Sequence, residues 1–226
     1  MADKPTALIT GAAGGIGSAL VDGFLSAGYD VVAVDRAKAE GVAPLDITDG
    51  AAVDALGAQL VGLNVLINSA GVLRRQEEYQ PEVFADVLEI NLTAAMRLAV
   101  ACKPALAKAR GAIINIASMY AFFGAPHAPA YAASKGGIVQ LTKSLAVAWA
   151  KDNIRVNAIA PGWIVTPLTD AARTDEVRNR GIVERTPMAR WGTPQDLVGP
   201  ALFLASDAAR FVTGIVLPVD GGYAAM

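Results

Sequence analysis

Ser118, Tyr131 and Lys135 are three side chains whose chemistry is complementary: a hydroxyl that can hold an oxygen, a phenol that can pass a proton, and an ammonium that can tune it. In the stretch AYAASKGG, Tyr131 and Lys135 are four residues apart. On a helix that spacing puts both on one face, one turn apart, so they serve one small volume. A free tyrosine has a pKa of about 10 and shuttles protons poorly at neutral pH. An ammonium about 4 Å away, at an effective dielectric near 20, contributes roughly 4 kcal/mol and would depress the phenol towards the range of a working general acid/base. The same spacing also describes a half-buried ring beside a snorkelling amine, so the pair needs a context.

That context lies at the other end of the chain. TALITGAAGGIG reads as a short β-branched strand followed by Gly11, Gly15 and Gly17 and then a helical pattern. Glycine there permits positive φ, close backbone approach to a pyrophosphate and tight helix packing, with the helix N-terminus facing the phosphates. The apolar run DVVAVD then ends on Asp35. A carboxylate at this place accepts hydrogen bonds from the ribose hydroxyls of NAD and repels the 2′-phosphate of NADP. NAD(H) is therefore expected over NADP(H), although Arg36 beside it can bind a phosphate or stack on adenine. A solvated acid at a strand end is the plainer reading of Asp35.

These residues resemble the short-chain dehydrogenase/reductase family, and the resemblance runs from Thr10 to VDGGY at Val219 to Tyr223. TGAAGGIG matches the family's TGxxxGxG, LDITD at Leu45 to Asp49 its acidic adenine-side turn, and NSAG at Asn68 to Gly71 its NNAG with Ser69 in place of the second asparagine. Asn91 in INLTA, Ser118 in NIAS, YxxxK from Tyr131 and PGWIVT at Pro161 to Thr166 follow in family order. The resemblance implies one domain over residues 1–226: a Rossmann-type, doubly wound parallel sheet of about seven strands, order 3-2-1-4-5-6-7, with helices on both faces. It implies that Ser118, Tyr131, Lys135 and Asn91 are catalytic, Asn91 fixing Lys135 through a water. It implies cofactor contacts from Gly11, Gly15, Ile16, Gly17, Asp35, Arg36, Asp46, Ile47, Asn68, Ala70, Gly71, Tyr131, Lys135, Pro161, Gly162, Ile164 and Thr166. The activity implied is NAD(P)(H)-dependent interconversion of a secondary alcohol and a ketone of a small molecule.

Strand patterns fall at Thr6 to Thr10, Asp30 to Asp35, Val42 to Ile47, Val65 to Asn68, Ala112 to Ala117, Arg155 to Ala160 and Ile215 to Val219. Helical patterns follow Gly15 and Tyr131 and cover Ala51 to Leu60, Pro81 to Ala109 with a break expected near Pro104, and Pro194 to Leu204. This alternation is that of a parallel sheet, whose ligands bind beyond the carboxyl ends of the strands. RAKAEGVAPL, between Asp35 and Asp46, leaves little room for the helix that would normally follow the second strand.

The composition narrows the partners. With 226 residues and a net charge of −2, no basic cluster stands out for nucleic acid. The mean hydropathy of +0.40 is high, yet charges interrupt every apolar run before the ~20 residues of a membrane span. MADKPTALITG enters its first strand without room for a leader, so a cytoplasmic protein is expected. The one cysteine, Cys102, reads as a small buried residue, and the one histidine, His127, has no partners at metal-ligand spacing. The charged stretch Thr169 to Arg190 reads as a solvated helical face; in the family it becomes a flap over the substrate, where an arginine can meet an anion.

Between Ser118 and Tyr131, MYAFFGAPHAPA suggests a mixed aromatic and polar pocket with Tyr120, Phe122, Phe123 and His127. AGVLR at Ala70 to Arg74 looks like the dihydrodihydroxybenzoate dehydrogenase branch, while sugar or polyol dehydrogenases and 3-oxoacyl reductases share the strong motifs. A non-catalytic nucleotide-sensing module and an epimerase or dehydratase of the extended branch are the rivals. Retention of all four catalytic positions weighs against the first, and the short C-terminal region against the second. Apolar residues on two helices, Leu98, Val100, Leu141, Leu145 and Trp149, exceed what one sheet face would cover, and the resemblance implies a dimer there and a homotetramer completed through the C-terminus.

Overall fold

A computed structural model describes residues 4–226, so the start of the expected leaderless N-terminus lies outside the described residues. Seven parallel strands form one sheet in the order β3-β2-β1-β4-β5-β6-β7. They are β1 (Thr6–Thr10), β2 (Asp30–Asp35), β3 (Ala43–Pro44), β4 (Val65–Asn68), β5 (Ala112–Ile116), β6 (Arg155–Pro161) and β7 (Val216–Val219). The expected order and all seven positions are found. The main helices are α1 (Gly15–Ser26), α2 (Gly50–Gln59), α3 (Pro81–Leu88), α4 (Ala94–Ala109), α5 (Pro129–Trp149), α6 (Asp170–Thr174), α7 (Glu176–Arg185) and α8 (Val198–Ala205).

Successive strand residues point to opposite faces, and in β4 and β5 every residue is buried, as central parallel strands require. Leu8, Leu66, Ile113 and Val156 pack on one face with Val53, Leu98, Leu106 and Leu145 from α2, α4 and α5. Ile9, Ile67, Ile114 and Ile159 pack on the other with Leu20, Phe24 and Leu204 from α1 and α8. Each such side chain contributes about 1.5–3 kcal/mol by leaving water. The register sets Thr10, Asn68 and Asn115 side by side across β1, β4 and β5, so a polar row stands towards the carboxyl ends of these three strands.

Several expectations are corrected. The strand predicted over Val42 to Ile47 shrinks to Ala43–Pro44, because Pro44 offers no N–H and sits on the outermost strand, where that lack is tolerated. No helix joins β2 to β3, as the short segment implied. The break expected at Pro104 is absent: α4 runs through it, with Pro104 and Val100 exposed on a side where water can bond the freed carbonyl. The irregularity comes earlier, as a π turn at Glu89–Thr93 that contains Asn91. Leu98, Leu145 and Trp149, taken from the sequence as interface residues, are buried in the chain's own core, whereas Met96, Val100 and Val147 face outward.

Candidate active site

The glycine turn begins where β1 ends. Gly11 has φ +67°, and a Cβ there would lie 2.7 Å from the backbone of Ala70, so both its conformation and its neighbour demand glycine. A Cβ on Gly17 would overlap the Gly11 carbonyl oxygen, which lets α1 start tight against the turn. Gly14 caps α1 without a side chain, and no acidic residue stands in the first turn. The N–H groups of that turn are thus left for an anionic ligand, a setting that fits the pyrophosphate of a dinucleotide.

An open cleft runs from this turn along the strand ends. Gly11, Gly15, Ile16 and Gly17 form one wall, Asp35, Arg36, Asp46 and Ile47 another, and Ala70, Gly71 and Thr166 complete it. Asp35 accepts the Ala13 N–H at 3.0 Å on one oxygen and the Ala37 N–H at 2.8 Å on the other, tying the end of β2 to the glycine turn. Asp46 folds back on Thr48, accepting its N–H at 2.9 Å and its hydroxyl at 2.7 Å, and these bonds hold its carboxyl below the usual range. Six expected cofactor residues do not line the cleft: Tyr131 and Lys135, described below, and Asn68, Pro161, Gly162 and Ile164. Asn68 is buried and bonded to Asn115 Oδ1 at 2.8 Å, while its own Oδ1 has no partner. Pro161 ends β6, a Cβ on Gly162 would meet Asp220, and Ile164 is buried against α1 and α8, so these three serve the fold first. Gly14, Leu45, Thr48, Ser69, Val72, Ile90, Pro167 and Leu168 line the cleft without having been named as cofactor contacts; the sequence signals for Gly14, for Leu45 and Thr48, and for Ser69 were the glycine turn, LDITD and NSAG that contain them.

Beside Gly71 of the cleft wall stand the candidate catalytic groups, with Asn91 and Lys135 nearest to it. Ser118 follows β5 and caps a short turn, its Oγ accepting the Tyr120 N–H at 3.2 Å. Tyr131 lies in the first turn of α5, and Lys135 one turn on is buried, its Nζ donating to the Ile116 carbonyl at 2.7 Å. The ammonium sits 5.5 Å from the centre of the Tyr131 ring. A Cβ built on Gly71 would lie 3.3 Å from Asn91 Oδ1 and 3.6 Å from Lys135 Nζ, so the cleft wall touches both residues. Asn91, on its π turn, accepts the Val72 N–H at 2.8 Å and donates to the Val72 carbonyl at 2.9 Å and to Ser134 Oγ at 3.1 Å.

The depressed phenol expected from the sequence is not what these surroundings produce. Burial dominates and pushes Tyr131 up to about 12, with the Ser118 hydroxyl pulling the other way. Burial also draws Lys135 down to about 8. The ammonium turns to a carbonyl rather than to the phenol, and desolvation outweighs whatever charge it offers.

Beyond the phenol lies an aromatic wall. The Tyr120 ring stands 6.3 Å from Tyr131, 6.0 Å from His127 and 6.1 Å from Trp163, edge to face in each case. Burial and the cations Arg178 and Arg75 lower the pKa of His127, while Glu78 opposes them. Arg185 at the end of α7 lies 4.2 Å from the Tyr223 ring centre and 5.3 Å from that of Phe123, pinning the C-terminal segment to the loop after Ser118. Among the described residues, no group of His, Cys, Asp or Glu gathers to hold a metal, and no helix is long and apolar enough to cross a membrane.

Residues 11–224 match the family model described as Enoyl-(Acyl carrier protein) reductase. The chain is 38% identical to the 2-dehydro-3-deoxy-D-gluconate 5-dehydrogenase of Dickeya dadantii, covering 97% of this chain and 95% of that protein. It is also 38% identical to the 5-keto-D-gluconate 5-reductase of Escherichia coli K12, covering 95% and 93%. A Beutenbergia cavernae structure described as an NAD(P)-dependent gluconate 5-dehydrogenase, with NADP bound at low occupancy, superposes with a TM-score of 0.92 at 40% identity over 98% of this chain and 97% of that one. A gluconate 5-dehydrogenase from Burkholderia cenocepacia, in complex with NADP and tartrate, gives 0.92 at 33% over 99% and 96%. Sheet order, glycine turn and whole-chain similarity to these proteins converge: the chain belongs to the short-chain dehydrogenase/reductase family and is an NAD(P)-dependent oxidoreductase that interconverts a secondary alcohol and a ketone.

Proposed function

We propose that the substrate is a sugar acid or its keto form, and that Tyr131 is the general acid/base. The observation that carries this is the meeting of Ser118, Tyr131 and Lys135 beside the cleft that starts at the glycine turn: the Ser118 hydroxyl bonds the phenol, Lys135 Nζ lies 5.5 Å from the Tyr131 ring centre, and Gly71 of the cleft wall stands next to that Nζ. When bound, the dinucleotide supplies or accepts the hydride. In the reducing direction Ser118 and Tyr131 hold the ketone oxygen, and the phenol gives it a proton. In oxidation the phenol, once deprotonated, takes the hydroxyl proton. Lys135 binds ribose hydroxyls, and Asn91 steadies it by gripping the turn through Ser134 and the Val72 backbone.

The sugar-acid assignment draws support from the relatives, which are named for 2-dehydro-3-deoxy-D-gluconate and 5-keto-D-gluconate. It also draws on Arg75, Arg178 and Arg185, whose charges reach Tyr120 at the aromatic wall and suit a carboxylate. For the cofactor, Asp35 favours NAD(H). Arg36 is exposed at the same wall, Asp35 already accepts two backbone N–H groups, and structural neighbours hold NADP. We therefore place both dinucleotides within about tenfold of each other, roughly 1.4 kcal/mol. One cytoplasmic domain, assembled as a homotetramer, completes the proposal.

Gluconate, 5-keto-D-gluconate, 2-dehydro-3-deoxy-D-gluconate, neutral polyols, a dihydrodiol and a 3-oxoacyl thioester, each tried with NAD(H) and NADP(H) at the nicotinamide absorbance, test this. Turnover of the acids at least about tenfold better than of neutral polyols is expected. Preference for the thioester or the dihydrodiol would move the substrate to another branch of the family.

A further inference from the structure

Glu78 is almost fully buried, at 1% exposure, and has no part in the proposed reaction as described so far. It belongs to the short 3₁₀ turn Arg75–Tyr79. One carboxylate oxygen accepts the Arg74 N–H at 2.9 Å, and the other accepts the Tyr131 N–H at 2.9 Å, across 53 positions of chain. The second bond matters because of where Tyr131 sits. Pro129 and Ala130 open α5, so the Tyr131 amide is among the first-turn donors with no partner inside the helix. The capping position is Ala128, which has no side-chain acceptor to offer. A carboxylate at the positive end of a helix is also electrostatically favoured. The neighbouring Tyr79 grips the same region, its hydroxyl donating to the Pro126 carbonyl at 2.8 Å.

We propose that Glu78 is a positioning residue for Tyr131: a remote cap that fixes the first turn of α5, and with it the place and orientation of the phenol. The proposal rests on the assignment of Tyr131 as the acid/base. Because the carboxylate is so near, it also acts on the phenol's ionisation, in the direction that favours the protonated form. The other groups facing the phenol are the Ser118 hydroxyl and Tyr120 from the turn after β5, and Lys135 from α5 itself. A merely structural buried acid would not couple to the pH dependence of turnover; this one should.

The test is Glu78→Gln, which keeps the shape and one acceptor but removes the charge. The variant is expected to fold, to bind the dinucleotide within about threefold of wild type, and to lose about tenfold in kcat, as a displaced catalytic group does. The pKa read from the pH profile of kcat should move to lower pH. Glu78→Asp, which keeps the charge and shortens the reach, should lower kcat without moving that pKa. A kcat within twofold of wild type in Glu78→Gln, or a loss with an unmoved pH profile, overturns the proposal. If Glu78→Gln does not fold, Glu78→Asp decides, and wild-type kcat there overturns it. Tyr131→Phe measured in parallel keeps the two readings apart: an active Tyr131→Phe removes the acid/base assignment and this proposal together, while an inactive one leaves Glu78 to be judged by its own variants.

Discussion

Tyr131 and Lys135 are moved by the same burial in opposite directions, the phenol up to about 12 and the ammonium down to about 8, so each leans towards its neutral form. General acid/base catalysis contributes about 10²–10⁴, so Tyr131→Phe should lower kcat at least a hundredfold or so while the dinucleotide still binds. Fluorescence titration and single-turnover assays separate the two effects. Lys135 makes a second prediction. Its pKa is depressed below the value of 10.5 it holds in the unfolded chain, so the unfolded state binds more protons there between about pH 8 and pH 10 and its contribution to stability rises across that window. Tyr131, raised, acts the other way, but only above about pH 10. Cys102, raised by burial from 9.0 to about 12, opposes Lys135 from about pH 9, so the melting temperature of the cofactor-free protein should climb from pH 8 to pH 9 and then level off, and Lys135→Met should remove the climb. A slope that survives in that variant would assign it to another group.

At the scale of elements, the end of β2 decides which dinucleotide is favoured. Asp35 and Arg36 face one cleft wall with opposite charges. Asp35→Asn should raise the kcat/KM ratio for NADP(H) over NAD(H) at least about fivefold, and Arg36→Ala should lower it by a similar factor, each being worth about 1 kcal/mol at a solvent-washed site. If neither substitution moves the ratio, discrimination lies elsewhere on the wall. Most elements were legible because apolar periodicity and glycine punctuation are local signals: β1, β2 and β4 lie where the alternating and continuous apolar runs put them. What escaped was set by tertiary context. Pro104 reads as a breaker but stands on a wet face; Val42 to Ile47 reads as a strand but meets only the last two residues of β2. The phenol's pKa could not be read from spacing, because i and i+4 give proximity and not the direction in which Lys135 points. Glu78 lies in a charged run, RRQEEY, that looks solvated, and only the fold carries it inside.

For the molecule as a whole, the outward faces of α4 and α5 carry Met96, Val100 and Val147, the last 84% exposed. If assembly uses these faces, Val100→Glu together with Val147→Glu should shift light-scattering mass towards the monomer without lowering the melting temperature of the subunit. Trp149→Glu should do something different. Trp149 is buried under Lys103, so the change removes a core ring and should destabilise the fold by about 3–5 kcal/mol. An unchanged mass for the double variant, at micromolar concentration, would place the contact on another face.

The helix missing between β2 and β3 leaves Arg36 to Gly41 exposed at every position, immediately after the strand whose last residue lines the nucleotide cleft. An exposed, unregular stretch of this kind tolerates added sequence. A circularly permuted fluorescent protein spliced in at Glu40–Gly41 would be hinged to Asp35 at one end and to the Asp46 turn at the other. A fluorescence change on adding NAD(H) or NADP(H) would show that filling the cleft shifts these two anchors, and the fold would then serve as the recognition half of a genetically encoded reporter of dinucleotide levels; unchanged fluorescence would show the anchors to be rigid.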